Sequence, residues 1–282
     1  MPKDHYVPQF YLRNFEDGGE FWVYDKKLSK GWRSNAYSTA KAEDFYTFTD
    51  DSGTANRDTE RILCNAEGRH AKLLREIISK KAVDFSRQLN GLFEFIAIQH
   101  LRTPTMRVQA NQAIQFAAKL SIEKMLSDPD IAEKWRNENP DGNWLALKQS
   151  VQDGHFEVSP GTDTIQALAL VLSVSRSLRN KPFLSIVNAQ DGLDFITSDN
   201  PVCAWWTKDG EIRHGGISRP DASVWIAISP KLGILLGSPV NSGTEDANRN
   251  LCLTMNKMVA NQAERIVIVQ SRAKAAWLTR DT

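Results

Sequence analysis

The chain has 282 residues, 41% hydrophobic and 24% charged, and its 35 basic and 34 acidic side chains leave a net charge of +1. That balance suits a globular protein and excludes a surface dedicated to nucleic acid, so a nucleic-acid site has to be a local patch. No apolar run approaches the roughly 18 residues that span a bilayer, and the first residues hold no apolar segment of a secretory signal.

Cys64, Cys203 and Cys252 are odd in number and widely spaced, which fits free thiols in a reducing cytoplasm. The first 50 residues read as extended structure. In "HYVPQF" the residue before Pro8 is held extended. Tyr6, Phe10, Tyr11 and Phe15 crowd apolar surface into a stretch of a kind that usually frays, so they read as core anchors. "FWVYD" and "DFYTF" are short, aromatic and bounded by Gly, Asp and Ser, as strands are.

From Asn56 to Ser79, Ile62, Ala66, His70, Leu73, Leu74, Ile77 and Ile78 recur at helical spacing. "QLNGLFEFIAIQHLR" is apolar all round and reads as a buried helix. Pro104 ends or kinks it, and a new helix follows through "RVQANQAIQFAAKLSIEKML". "SDPDIAEKW" starts another, capped by Ser127 or Asp128 with Pro129 at its first position. "NWLALKQSV" supplies a further short one. "DTIQALALVLSVSRSL" closes the helical block, with a cap expected near Thr162 or Asp163.

From residue 183 the pattern is of β type. "FLSIVN", "LDFIT", "VCAWW", "SVWIAIS", "LGILLG" and "RIVIV" are short runs between Gly, Pro, Asp and Asn, and Asp209-Gly210 signals a hairpin. One helix, "TEDANRNLCLTMNKMVANQ", interrupts them. Runs of helices beside runs of strands predict an α+β fold. The expected form is a helical block packed on a mostly antiparallel sheet built from N-terminal and C-terminal strands. Residues 1–50, 56–180 and 183–282 then make one interwoven domain.

Three stretches set polar groups beside apolar sequence, where an unpaired polar group costs free energy. In the first, His5 is a candidate acid or base, since an unperturbed imidazole titrates near 6.5; the alternative is a histidine that satisfies a buried partner. In "QHLRTPTMR", Gln99, Arg102 and Arg107 are candidate substrate-binding groups. A buried arginine must find a carboxylate or a phosphate, so Arg102 holds either an internal ion pair or a ligand. His100 shares a face with Phe93 and Ile96 and reads as a core histidine.

In "FITSDNPV" a strand end presents Ser198, Asp199 and Asn200, where catalytic groups often ride; a plain Asx turn is the competing role. Tyr6, Ser198 and Trp205 are further candidates for holding substrate, Trp205 by stacking. The sequence contains no P-loop, GxGxxG, GxSxG, HExxH or Cys/His zinc spacing. No metal or other cofactor is expected.

"HYVPQFYL", "QHLRTP" and "SDNP", with the later "MNKMVANQAERIVIV", resemble the hallmarks of a bacterial family catalogued as domain of unknown function 4238. The resemblance covers nearly the whole chain. It implies one shared architecture and a candidate part in defence against phage, where some proteins are glycosylases that remove modified bases from DNA.

The expected activity is therefore metal-independent hydrolysis of an N-glycosidic bond in DNA, in the cytoplasm. Asp199 stabilises the oxocarbenium-like transition state, Asn200 positions water or sugar, His5 serves the leaving group, and Arg102 holds a phosphate. A metal-dependent nuclease, with His5 as base and Asp199 as ligand, is the alternative enzyme. A non-enzymatic nucleic-acid or phage sensor is the third. The expectation common to the active-site readings is that His5, Arg102 and Asp199 meet in one cleft.

Overall fold

The computed structural model describes residues 3–46, 48–49, 55–56, 58–156, 168–237 and 243–275. The chain opens with β1 (Lys3–His5), then α1 (Gln9–Leu12) and a single 3-10 turn at Arg13–Phe15. The segment read as wholly extended is thus helical after Pro8, whose carbonyl accepts from the N–H groups of Tyr11 and Leu12. The turn points Tyr11, Leu12 and Phe15 into the interior, each fully buried. Tyr11 Oη donates to the Ala227 carbonyl at 2.7 Å and so accepts from Thr197 Oγ1, also at 2.7 Å. Those bonds tie the segment to strands some 200 residues away.

β2 (Phe21–Asp25) and β3 (Lys30–Ser34) form an antiparallel pair, and β4 (Lys41–Glu43) returns to pair with β1. "DFYTF" departs from the expected strand. Residues 44–46 turn, Thr47 lies outside the described residues, and only Phe48–Thr49 is extended, as β5 beside β6 (Ala55–Asn56). Asp4 explains the turn, because its carboxylate accepts from Tyr46 N at 3.1 Å.

The helices follow in the expected places: α2 (Asp58–Lys80), α3 (Leu89–Leu101), α4 (Pro104–Met125), α5 (Pro129–Glu138), α6 (Trp144–Gln152) and α7 (Val171–Arg179). Thr103 caps α4 and Asp128 caps α5, each with proline at the first turn, so the punctuation was local and readable. The cap expected near Thr162 or Asp163 lies outside the described residues. α3 is buried almost all round and packs against α2 and α7.

β7 (Leu184–Ala189), β8 (Thr197–Ser198), β9 (Cys203–Lys208), β10 (Glu211–His214), β11 (Ser223–Ser229), β12 (Leu232–Leu236) and β13 (Gly243–Ala247) come next, then α8 (Arg249–Gln262) and β14 (Ile266–Val269). Asp209 and Gly210 both take positive φ, 54° and 81°, as the two central residues of a type I′ hairpin must. "LDFIT" contributes only its last residue, Thr197, to β8. "TEDA" is strand rather than helix. It lies parallel to β7 as β13, and α8 begins after Asn248, whose side chain accepts from Leu251 N.

The single expected sheet is divided: among the described residues the two-stranded ribbons β1-β4 and β5-β6 stand apart from two larger sheets. One runs β3-β2-β14-β8 and does join both ends of the chain. The other, β10-β9-β11-β12-β7-β13, is C-terminal throughout. All neighbours in both are antiparallel except β13 on β7, which keeps the fold α+β. One hydrophobic core runs from Val7 to Val269, and a separate small cluster around Leu126, Ala132, Trp144 and Val151 joins the end of α4 to α5 and α6.

Within the six-stranded sheet the Trp225 ring lies over Gly233. A Cβ added there would stand 1.9 Å from the ring. Gly233→Ala should therefore destabilise by about 1–3 kcal/mol through overpacking. Thermal melts check this, and adding Trp225→Leu should recover part of the loss.

Candidate functional site

The site is assembled from three sequence-distant pieces. The β1–β4 register sets His5 opposite Lys41. Across from them α2 presents Glu60, Leu63, Cys64 and Glu67, spaced so that they share one helix face. Arg102, just past the end of α3, closes the inner wall. These side chains, with Tyr37 at the edge, border a cavity of about 490 Å³.

Arg102 is 2% exposed, and each of its three guanidinium nitrogens donates a hydrogen bond within the wall. Nε donates to Tyr46 Oη at 2.8 Å, Nη1 to Glu67 Oε1 at 2.8 Å, and Nη2 to the His5 carbonyl. Tyr46 Oη in turn donates to that same carbonyl at 3.2 Å. The arginine found a carboxylate, so it holds the wall together and is not placed to grip a phosphate. The clamp takes the main chain of His5 and leaves its imidazole to the cavity.

His5 Nε2 lies 3.1 Å from the Tyr37 carbonyl. A carbonyl can only accept, so in the neutral ring Nε2 carries the proton and Nδ1 is the basic nitrogen. Burial is the main influence on this ring and holds its pKa below 6.5, with Lys41 adding to the shift and the Tyr37 carbonyl and Glu67 opposing it. The imidazole is thus neutral at pH 7. Burial, then the Glu67 and Glu60 carboxylates, push the Cys64 thiol up, so this cysteine is a poor nucleophile at neutral pH. Tyr37 is 67% exposed, with Lys41 Nζ 4.5 Å from its ring centroid.

Asp199 does not border this cavity. It is 3% exposed. Its Oδ1 accepts from Glu264 N at 2.9 Å, and its Oδ2 accepts from Arg265 N at 2.8 Å and Ile266 N at 2.9 Å. Burial raises its pKa against the pull of those three donors. The expected meeting of His5, Arg102 and Asp199 is therefore corrected: the first two meet, and Asp199 instead ties the β8 end to the start of β14.

Ser198 is fully buried, and its hydroxyl accepts from Asn200 N. Gln99 is likewise buried and donates to the Tyr6 carbonyl at 3.4 Å. Neither is open to a substrate. Tyr6 packs its ring on Phe45, Arg107 stacks over the same Phe45 at 5.3 Å, and Trp205 packs on the main core. None of these three borders the His5 cavity. Asn200 borders a different cavity, of about 520 Å³, together with His100.

Sequence reasoning passed over Glu60 and Glu67 because it followed the apolar stripe of α2. The signal was present: a buried arginine requires a carboxylate, and Glu67 lies on the polar flank of that stripe. Among the described residues no group of three or more His, Cys, Asp or Glu is placed to hold a metal ion. No helix of the described chain is long and apolar enough to cross a membrane.

The model of a family described as "Protein of unknown function (DUF4238)" matches residues 3–273. No curated protein and no solved structure matches the chain.

Proposed function

We propose, from the premise that the chain belongs to the DUF4238 family, that the His5 cavity hydrolyses the N-glycosidic bond of a nucleobase-bearing substrate. The substrate class proposed is DNA with modified bases, as met in defence against phage. One observation carries the reading: the His5 imidazole and two glutamates border the same cavity, with the exposed Tyr37 ring beside them.

Cleavage of such a bond passes through an oxocarbenium-like transition state that nearby carboxylates stabilise. Glu60 and Glu67 supply that negative charge, Glu67 being held in place by Arg102. His5 Nδ1 takes a proton from water as the water oxygen bonds to the anomeric carbon. The C–N electron pair leaves with the base, and His5 returns the proton to the departing nitrogen. Tyr37 offers a face on which an extruded base stacks. The nuclease alternative has less support, because the described residues offer no metal-ligand cluster.

His5→Gln tests the reading. Base release, measured by mass spectrometry on modified and unmodified DNA, should fall by at least about 10² on loss of the general base. The melting temperature should hold, because Arg102 and Tyr46 bind the His5 carbonyl and not its ring. In the unsubstituted protein, release should decline as the pH drops through a midpoint below 6.5, where His5 protonates. Release should also persist in EDTA. Base release by His5→Gln at the normal rate, or strand breakage that EDTA abolishes, would overturn the proposal.

A further inference from the structure

The second cavity, about 520 Å³, lies between the start of α4, the loop after β8, the β9–β10 edge and the end of α8. It is built differently from the His5 site. No Asp, Glu, Lys or Arg of the described residues borders it. Its polar lining residues include four that carry side-chain amides, Gln109, Asn200, Asn261 and Gln262, and two histidines, His100 and His214. Met106, Val202 and Ile217 supply apolar wall.

Two of the amides are already oriented. Asn200 Nδ2 donates to the Gln262 carbonyl at 3.0 Å, which turns its Oδ1 away as an acceptor. Gln262 Nε2 lies 3.2 Å from His214 Nδ1, so that nitrogen accepts and Gln262 Oε1 is left as an acceptor. His100 is the anomaly. Its Nδ1 is sealed from solvent and has no hydrogen-bond partner, although its ring borders the cavity. A buried lone pair is tolerated better than a buried N–H, so the proton of the neutral ring sits on Nε2, leaving that nitrogen as the donor. Burial alone lowers the His100 pKa to about 4, so the ring is uncharged near neutral pH.

We propose that this cavity is a second ligand site, and that it takes an uncharged nucleoside whose base presents a donor beside an acceptor. The absence of charged lining argues against an ionised ligand, which would enter without a counter-charge at a large desolvation cost. Paired donors and acceptors at fixed separation are what a carboxamide offers, and the N6–N7 edge of adenine is one edge that a carboxamide meets with two bonds, so adenosine is the first candidate among the nucleosides. The apolar wall suits the faces of a flat ring, and the volume lies in the range of small-molecule sites, roughly 300–1,000 Å³. The site is independent of the chemistry proposed for the His5 cavity.

Calorimetric titration with adenosine, guanosine, cytidine, uridine and AMP tests it. Adenosine should bind, and AMP should bind no more tightly. His100→Phe keeps a flat aromatic ring and removes the donor, and should weaken binding about tenfold, the loss expected for one hydrogen bond to a neutral group. Gln109→Leu, at an exposed position on α4, should weaken it similarly without risk to the fold. His5→Gln should leave this binding unchanged, which separates a failure here from a failure of the hydrolase reading. Binding of another of the four nucleosides with the same His100 and Gln109 dependence supports the site and reassigns its base. No nucleoside binding at millimolar concentration, tighter binding of AMP alone, or affinity untouched by both variants would overturn it.

Discussion

Arg102→Ala is expected to lower stability by about 2–4 kcal/mol, somewhat less than the loss of one partner from a fully buried ion pair, because Glu67 keeps 28% of its side chain exposed. The deletion strands Glu67 and takes away the three groups that grip Tyr46 Oη, the Glu67 carboxylate and the His5 carbonyl. It also opens a void beside Tyr46, which the guanidinium faces at 5.5 Å. Arg102→Lys keeps the charge yet cannot reproduce a planar fork that serves three acceptors at once, so only part of the loss should be recovered. Denaturant titration of the two variants and the parent gives the measurement. A phosphate-holding arginine predicts the opposite pattern, with an unchanged melt and weakened DNA binding. A stable Arg102→Ala protein would return Arg102 to the surface of the site.

Asp199→Asn should also be costly, by about 1–3 kcal/mol, because an unsatisfied buried donor bears its full desolvation penalty. A plain Asx turn would accept asparagine almost as well as aspartate. Here the carboxylate receives three backbone N–H groups, one on Oδ1 and two on Oδ2. An amide has one oxygen. Its best orientation keeps that oxygen on Arg265 and Ile266 and turns the NH₂ toward Glu264 N, setting donor against donor. The loss should appear as earlier melting, with faster amide exchange at residues 264–266. Base release by the folded fraction should stay near normal, since Asp199 lies outside the His5 cavity. A variant that melts normally but has lost base release would restore Asp199 to the chemistry.

These two residues mark what could be read before the structure. Their importance was legible: each is a charged group embedded in apolar sequence, which requires a partner wherever it is buried. Their partners were not. Glu67 lies 35 positions before Arg102, and the donors to Asp199 lie 65 to 67 positions after it.

What the amino-acid sequence determined by itself is whatever depends on a few adjacent residues. The α3 helix was readable from its continuous apolar character, the α4 and α5 starts from Thr103-Pro104 and Asp128-Pro129, and the hairpin from Asp209-Gly210. Caps, fixed φ and side-chain periodicity act within one or two turns of chain. The tertiary structure decided the rest. "TEDA" became β13 because the β7 edge offered it a ladder, overriding its continuity with the helix that follows. Among the described residues the expected single sheet became two larger sheets and two two-stranded ribbons, and the residues expected in one cleft parted, His5 and Arg102 bordering a charged cavity, Asn200 an uncharged one, and Asp199 neither. Long-range pairing is chosen by which buried groups find partners when distant segments close on one another, and no local signal carries that information.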